Sequence, residues 1–153
     1  MALFLVQHGR SLAKELDPEQ GLSPEGFSDV ERIAGVAKGY NVRVAVIQHS
    51  GKKRARQTAE IFSSALKPER GIQERSGLNP LDDVSALADQ LTAEENLLLV
   101  GHLPFMERLT AYLTTGNADR RIFKFQNGGI VCLDKEPGSP NWFIKWTLIP
   151  EIG

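Results

Sequence analysis

The sequence predicts a three-layer α/β/α sandwich with a mainly parallel central sheet and an antiparallel C-terminal edge. Short, continuous apolar runs are each followed by a stretch of helical periodicity, the signature of strands buried on both faces and joined by crossover helices. The last third of the chain changes character, with two β-rich stretches around a turn-rich connection. At 153 residues and 41% hydrophobic content, the chain is the size of one globular domain with a full core, and residues 1–153 are expected to form a single domain.

Ala2 to Val6 is the first apolar run. Leu22-Ser23-Pro24-Glu25-Gly26 opens a helix, with Ser23 placed to cap it and Pro24 at its first position. Phe27, Val30, Ile33, Ala34 and Ala37 then repeat at helical spacing up to Gly39. Val42 to Ile47 predicts the second strand, Ser50 a cap, and Lys53 to Leu66 the second helix, with Ala55, Thr58, Ala59, Phe62 and Leu66 on one face. Pro68 to Pro80 reads as a loop holding at most a short strand. Val84 to Leu91 predicts another helix and Asn96 to Val100 a third buried strand. A helix beginning at Pro104 carries Phe105, Leu109, Tyr112 and Leu113 and stops near Gly116. Ile130 to Leu133 and Trp142 to Ile149 predict the antiparallel pair. Trp142 and Trp146, four apart on a strand, are expected on one face.

Lysine and arginine number 18 against 19 aspartates and glutamates, for a net charge of −1. That balance provides no global field for nucleic acid or anionic lipid, so any anion site must be local. No apolar run approaches the ~20 residues of a membrane span, and no secretory leader is evident. Cys132 is the only cysteine, which excludes intramolecular disulfides and cysteine-based zinc clusters. It alternates with Val131 and Leu133 and reads as an inert strand thiol. A soluble, cytoplasmic protein with no membrane partner and no nucleic-acid partner is the expectation.

The three histidines carry the functional signal. His8, His49 and His102 each follow, directly or nearly so, one of the three predicted parallel strands. Ligand crevices in open α/β sheets lie outside the carboxyl ends of the strands, so three distant imidazoles become candidates for one pocket. Each has a neighbour suited to an anion: Gly9 for close backbone approach, Ser50 capping the helix that carries Arg54, and Pro104 at a helix start where free N–H groups favour phosphate. His49 is as readily structural as functional. Arg54, within the basic run Lys52 to Arg56, would by itself read as part of a solvated helix face.

Leu5-Val6-Gln7-His8-Gly9-Arg10-Ser11 resembles the N-terminal signature of the histidine phosphatase, or phosphoglycerate mutase-like, superfamily, in which an Arg-His-Gly triplet follows the first strand. Here Gln7 stands where that Arg is found. Leu22 to Gly26 resembles the superfamily's helix opening, Ser50 to Thr58 its second Arg segment, and Gly101-His102-Leu103-Pro104 its second His segment. Four ordered matches extend over roughly residues 1 to 115, and their form is most similar to the SixA-type phosphohistidine phosphatases.

The resemblance implies that His8 is the nucleophile, with Gln7, Arg54 and His102 binding phosphate and Gly9 and His49 as further pocket residues. It implies no metal and no cofactor. Gln keeps hydrogen-bond donors but loses the charge and fork of Arg, so a less positive pocket is expected unless Arg10 compensates. The stretch from Thr58 to Asn96 is too short for a cap subdomain, and no carboxylate adjoins His102; Asp82 and Asp83 are the nearest candidates for an acid, or simply helix N-terminal charges. An uncapped, acid-poor pocket suits phosphohistidine on a protein better than a sugar or glycerate phosphate, with inorganic phosphate as product. A small phosphate-monoester phosphatase, a non-catalytic phosphate- or phosphoprotein-binding domain, and a three-histidine metal site are the competing expectations.

Overall fold

The computed structural model describes residues 1–153. In chain order the elements are β1 (Leu3–Gln7), α1 (Pro24–Gly39), β2 (Val46–His49), α2 (Lys53–Leu66), β3 (Ile72–Glu74), α3 (Val84–Ala88), β4 (Leu97–Gly101), α4 (Phe105–Thr115), β5 (Ile130–Lys135) and β6 (Trp142–Leu148). The six strands form one sheet in the order β3-β2-β4-β1-β5-β6. β3, β2, β4 and β1 run parallel, while β5 and β6 complete an antiparallel edge.

Strand alternation sends the two halves of each apolar run into separate layers. Leu3, Leu5, Leu97 and Leu99 pack with Val84 and Leu87 of α3 and with Phe105, Met106 and Leu109 of α4. Phe4, Val6, Leu98 and Val100 pack on the other face with Val30 and Ile33 of α1 and with Ala55, Ala59 and Phe62 of α2. Each fully buried leucine contributes roughly 1.5–3 kcal/mol, which explains why these strands contain no polar residue before their carboxyl ends. The parallel sandwich with an antiparallel edge is as the periodicity predicts. No helix is long and apolar enough to cross a membrane.

Local differences have local causes. β2 begins at Val46 rather than Val42, because Tyr40 and Val42 donate their N–H groups to the Val36 and Ala37 carbonyls, finishing α1 before the ladder can start. Its last residue is therefore His49 itself. α3 stops at Ala88, beyond which Gln90 and Leu91 close tight turns onto Leu87 and Ala88 at 2.9 and 3.1 Å.

The tryptophans do not share a face. Pairing shifts register between Cys132 and Leu133, so that Trp146 opposes Cys132 while Ile144 opposes Leu133. Lys145 is thus an extra residue in the ladder, and a bulge of this kind inverts the alternation beyond it. Trp142 joins the α3/α4 layer. Trp146 lies in the other, 5.9 Å from the Phe4 ring.

Candidate active site

His8 and His102 come together because the strands that precede them are neighbours. β1 and β4 pair in parallel with Gln7 opposite Gly101, and the His8 N–H continues the ladder onto the Gly101 carbonyl at 3.1 Å. The two imidazole centroids are 4.9 Å apart at a tilt of 52°.

The His8 ring is oriented by its own turn. Nδ1 lies 2.7 Å from the Gly9 carbonyl, and a carbonyl can only accept, so Nδ1 carries the proton and Nε2 bears the lone pair. Nε2 has no protein partner and is not buried. Burial pushes the imidazole down to about 4; the Gly9 bond opposes this and the Arg54 charge reinforces it. His8 is therefore a neutral imidazole with its lone pair open to the site throughout the physiological range.

The backbone of this turn is anchored from three directions. Gly9 donates its N–H to Thr58 Oγ1 at 3.0 Å, and Thr58 in turn donates to the Arg54 carbonyl at 2.8 Å. Asn127 Nδ2 donates to the His8 carbonyl at 3.0 Å, and the Gly128 N–H to that of Gln7 at 2.8 Å. Gly26, in the first turn of α1, sits so close that a Cβ there would be 2.1 Å from the Arg10 carbonyl. Gly9 serves packing rather than ligand approach: a Cβ on it would meet Val30 at 2.8 Å and Leu22 at 3.1 Å, so it turns toward α1 and not toward a pocket as the sequence led us to expect.

His102 is 2% exposed and its Nε2 lies 2.6 Å from Ser50 Oγ. Burial lowers its proton affinity to about 3, with His8, Arg54 and Lys52 adding to the effect. The Ser50 hydroxyl can pair with Nε2 in either direction, while Nδ1 is buried and without a protein partner. Ser50 thus does not cap α2, whose cap residue is Lys52 with no side-chain bond. Arg54 stands in the first turn of α2, and its charge reaches both imidazoles. Its guanidinium forms no ion pair, and partial burial lowers its own pKa. One unpaired cation beside one open imidazole and one buried imidazole makes a site suited to an anion.

Gln7 is 8% exposed and its Oε1 is buried without a partner. It lines a cleft of about 290 Å³ with Arg10, Asp29, Leu103, Asn127 and Glu151. Arg10 is ion-paired to Glu151 at 2.7 Å, and the Glu151 backbone is held by the Gln126 side chain at 2.7 and 3.0 Å. Periodicity had no signal for this C-terminal strap, nor for Asn127; the Asn127-Gly128-Gly129 turn was the one available hint.

The remaining candidates lie apart. His49 Nδ1 accepts the Gly51 N–H at 3.0 Å and its charged neighbours are Glu74, Arg56 and Glu60, so its ring stabilises the β2–α2 turn. Asp83 accepts the Ser85 N–H at 3.0 Å and Asp82 the Asn79 N–H at 2.9 Å. Both line a different cleft with Arg75 and Gln90. No three His, Cys, Asp or Glu side chains converge in a metal-binding arrangement.

A mixed sheet in this order, with two helices on each face, is the fold of the phosphoglycerate mutase-like histidine phosphatases. Among solved structures, the chain is similar to the protein histidine phosphatase SixA complexed with tungstate: TM-score 0.85, 22% identity, 98% of this chain and 97% of that one covered. A candidate phosphohistidine phosphatase SixA from Agrobacterium tumefaciens follows at TM-score 0.77 and 22% identity, covering 97% of each chain. A mycobacterial glucosyl-3-phosphoglycerate phosphatase matches at TM-score 0.69 and 13% identity, covering 94% of this chain and 96% of that one. No protein-family model and no curated protein sequence matches the chain.

Proposed function

We propose that this protein is a phosphatase that forms a covalent phosphohistidine on His8, and that its substrate is phosphohistidine carried by another protein. The observation that carries the reading is the His8 imidazole itself: Nδ1 committed to the Gly9 carbonyl at 2.7 Å, Nε2 open, and the second imidazole 4.9 Å away. The similarity to a SixA structure containing tungstate, a tetrahedral oxyanion, supports a phosphoryl ligand.

In the first step His8 Nε2 attacks phosphorus in line, the P–Nε2 bond forms, and the bond from phosphorus to the leaving imidazole breaks. The leaving nitrogen takes its proton from solvent, so no carboxylic acid is required at the site. In the second step water attacks phosphorus, the P–Nε2 bond breaks and inorganic phosphate leaves. Arg54 stabilises the equatorial oxygens in both steps, and the His102 ring beside His8 helps to position the group, because phosphoryl transfer depends mainly on positioning and charge. The Gly9 carbonyl accepts from Nδ1–H and supports the cationic ring of the phosphorylated form. A leaving nitrogen suits this site better than an alkoxide, which would need a positioned acid.

Gln7 favours a second reading, a phosphoprotein-binding domain that never turns over. Incubation with a ³²P-phosphohistidine protein and with simple phosphate monoesters separates the two. Acid-labile label on His8, absent in His8→Ala, and faster release from the phosphohistidine protein is the expected result. Phosphate binding without labelled His8 would establish the binding domain instead, and preferential ester hydrolysis would refute the substrate.

A further inference from the structure

A phosphohistidine that reaches His8 arrives on the surface of another protein, so the loops around the carboxyl end of the sheet fall within the contact. An interface of standard size covers roughly 800 Å² of each partner, a disc about 16 Å in radius. Isolated exposed apolar residues are ordinary on any protein surface. Here the three most exposed aliphatic side chains away from the chain ends, Leu81 (89%), Leu16 (75%) and Ile122 (51%), are all on loops tied to this end of the sheet.

Leu16 stands in a turn between β1 and α1, where its N–H and that of Asp17 both donate to the Ala13 carbonyl at 3.0 Å. The Asp17 carboxylate holds Lys53 Nζ at 2.9 Å, which fixes this turn beside Arg54 at the start of α2. Leu81 lies on the loop that enters α3, in the opposite layer. Its turn is closed by the Asn79 N–H on Asp82 Oδ2 at 2.9 Å and the Asp82 N–H on the Asn79 carbonyl at 3.1 Å. Leu78, just before that turn, is fully buried, and its carbonyl would lie 3.7 Å from a Cβ on Gly101, the residue before His102. Ile122 is placed by Glu107 of the first turn of α4, which pairs with Arg121 at 3.7 Å and accepts the Phe125 N–H at 3.2 Å. Turns ordinarily carry Gly, Pro, Asn, Asp or Ser, and neither Leu16 nor Leu81 belongs to the core. Because the backbone of both turns is already fixed, little freedom is lost when a partner covers them.

Resting on the phosphatase reading above, we propose that Leu16, Leu81 and Ile122 form the docking surface for the phosphohistidine protein, and that the phosphorylated histidine of that partner is flanked by apolar side chains. Arg54 has no ion pair and its charge reaches both imidazoles, so the phosphoryl group is drawn between anchors that come from both layers. The anchors are uncharged and select the surface around that group rather than the group itself. A small phosphoryl donor therefore uses the site without them.

The probe is a small helical-bundle protein with one surface histidine, phosphorylated by phosphoramidate, in two forms whose histidine is flanked by leucines or by serines. Steady-state rates with both forms, and with phosphoramidate itself, are measured for the wild type and for the Leu16→Ser/Leu81→Ser double variant. In the wild type the KM for the leucine-flanked form is expected to be about tenfold below that for the serine-flanked form, equivalent to ~1.4 kcal/mol, with kcat alike. The double variant loses this difference and keeps the wild-type rate with phosphoramidate. Equal KM values for the two forms in the wild type, failure to turn over either form, a difference that persists in the double variant, or a matching loss with phosphoramidate overturns the docking surface, while acid-labile label on His8 keeps the phosphatase reading. Absence of that label with every donor removes the phosphatase reading and the docking surface with it.

Discussion

Thr58 ties the His8 turn to the helix that carries Arg54, and replacing it with valine isolates that tie. The side chain is fully buried and its hydroxyl makes two bonds, accepting from the Gly9 N–H at 3.0 Å and donating to the Arg54 carbonyl at 2.8 Å. The second costs little to lose, because the Arg54 carbonyl remains within the helical ladder. The first is different: Gly9 is buried, and its N–H would be left without an acceptor at a cost of about 1–3 kcal/mol. Valine fills the same volume, so no cavity adds to this. At roughly 2–4 °C per kcal/mol for a domain of this size, the melting temperature should fall by a few degrees to about 10 °C.

Thr58→Ser supplies the contrast. It keeps the hydroxyl and removes one methyl group, costing about 1 kcal/mol through the small void. The two variants can therefore resemble each other in urea denaturation, but they should separate in rate. Serine holds the Gly9 turn and preserves the rate of His8 phosphorylation, while valine frees it and slows the step by about tenfold or more. Equal rates in the two variants would refute the argument that Thr58 positions the turn, whatever their melting temperatures.

Three further expectations concern protons and close contacts. In ¹H–¹⁵N spectra of the free protein, His8 and His102 should remain neutral down to about 4 and about 3; midpoints near 6.5 would contradict the burial argument. Both folded values lie below the unfolded one, so stability is complete above pH 6.5. It declines as pH falls below that, because the unfolded chain then binds more protons than the folded one; His102→Ala should flatten that decline in urea titrations. Ser50→Ala removes the hydroxyl 2.6 Å from His102 Nε2 and should slow His8 phosphorylation by about tenfold, with a ¹⁵N shift pattern reporting a mixed tautomer; an unchanged tautomer would remove Ser50 from the argument. Gly26→Ala places a methyl 2.1 Å from the Arg10 carbonyl and should destabilise by roughly 1–3 kcal/mol or more, measured by thermal unfolding; a neutral outcome would mean that α1 can shift off the turn.

The sandwich was legible in the sequence because its signals are local. An apolar pentamer such as Leu97 to Gly101, which is buried throughout, can only be an interior strand, and Ser23-Pro24 marks a helix start within a single turn. The pairing of His8 with His102 followed from strand ends plus the general position of crevices. Distances across the site could not follow, because Ser50, Thr58 and Asn127 reach it through side-chain hydrogen bonds that leave no periodic trace. His49, which the sequence left open between structure and function, is the last residue of β2 where the other two lie one step beyond their strands, and its ring accepts from the Gly51 N–H. The bulge at Lys145 is equally silent, since one added residue in β6 alters no composition and no spacing over the first four positions.

The gap between His8 and His102 has a consequence beyond chemistry. Both residues step off the ends of adjacent parallel strands whose last pair is Gln7 and Gly101, and their ring separation of 4.9 Å equals the spacing between neighbouring strands, about 4.7–4.9 Å in any sheet. The backbone positions that carry the two rings are thus spaced by the sheet and not by loop conformation. Temperature, ligand or surface substitution can hardly stretch that spacing, because doing so means breaking interior ladder bonds. Loops around the rim are free to diverge, while the gauge that two imaginary jaws would need to grip a phosphoryl group stays set by the sheet itself.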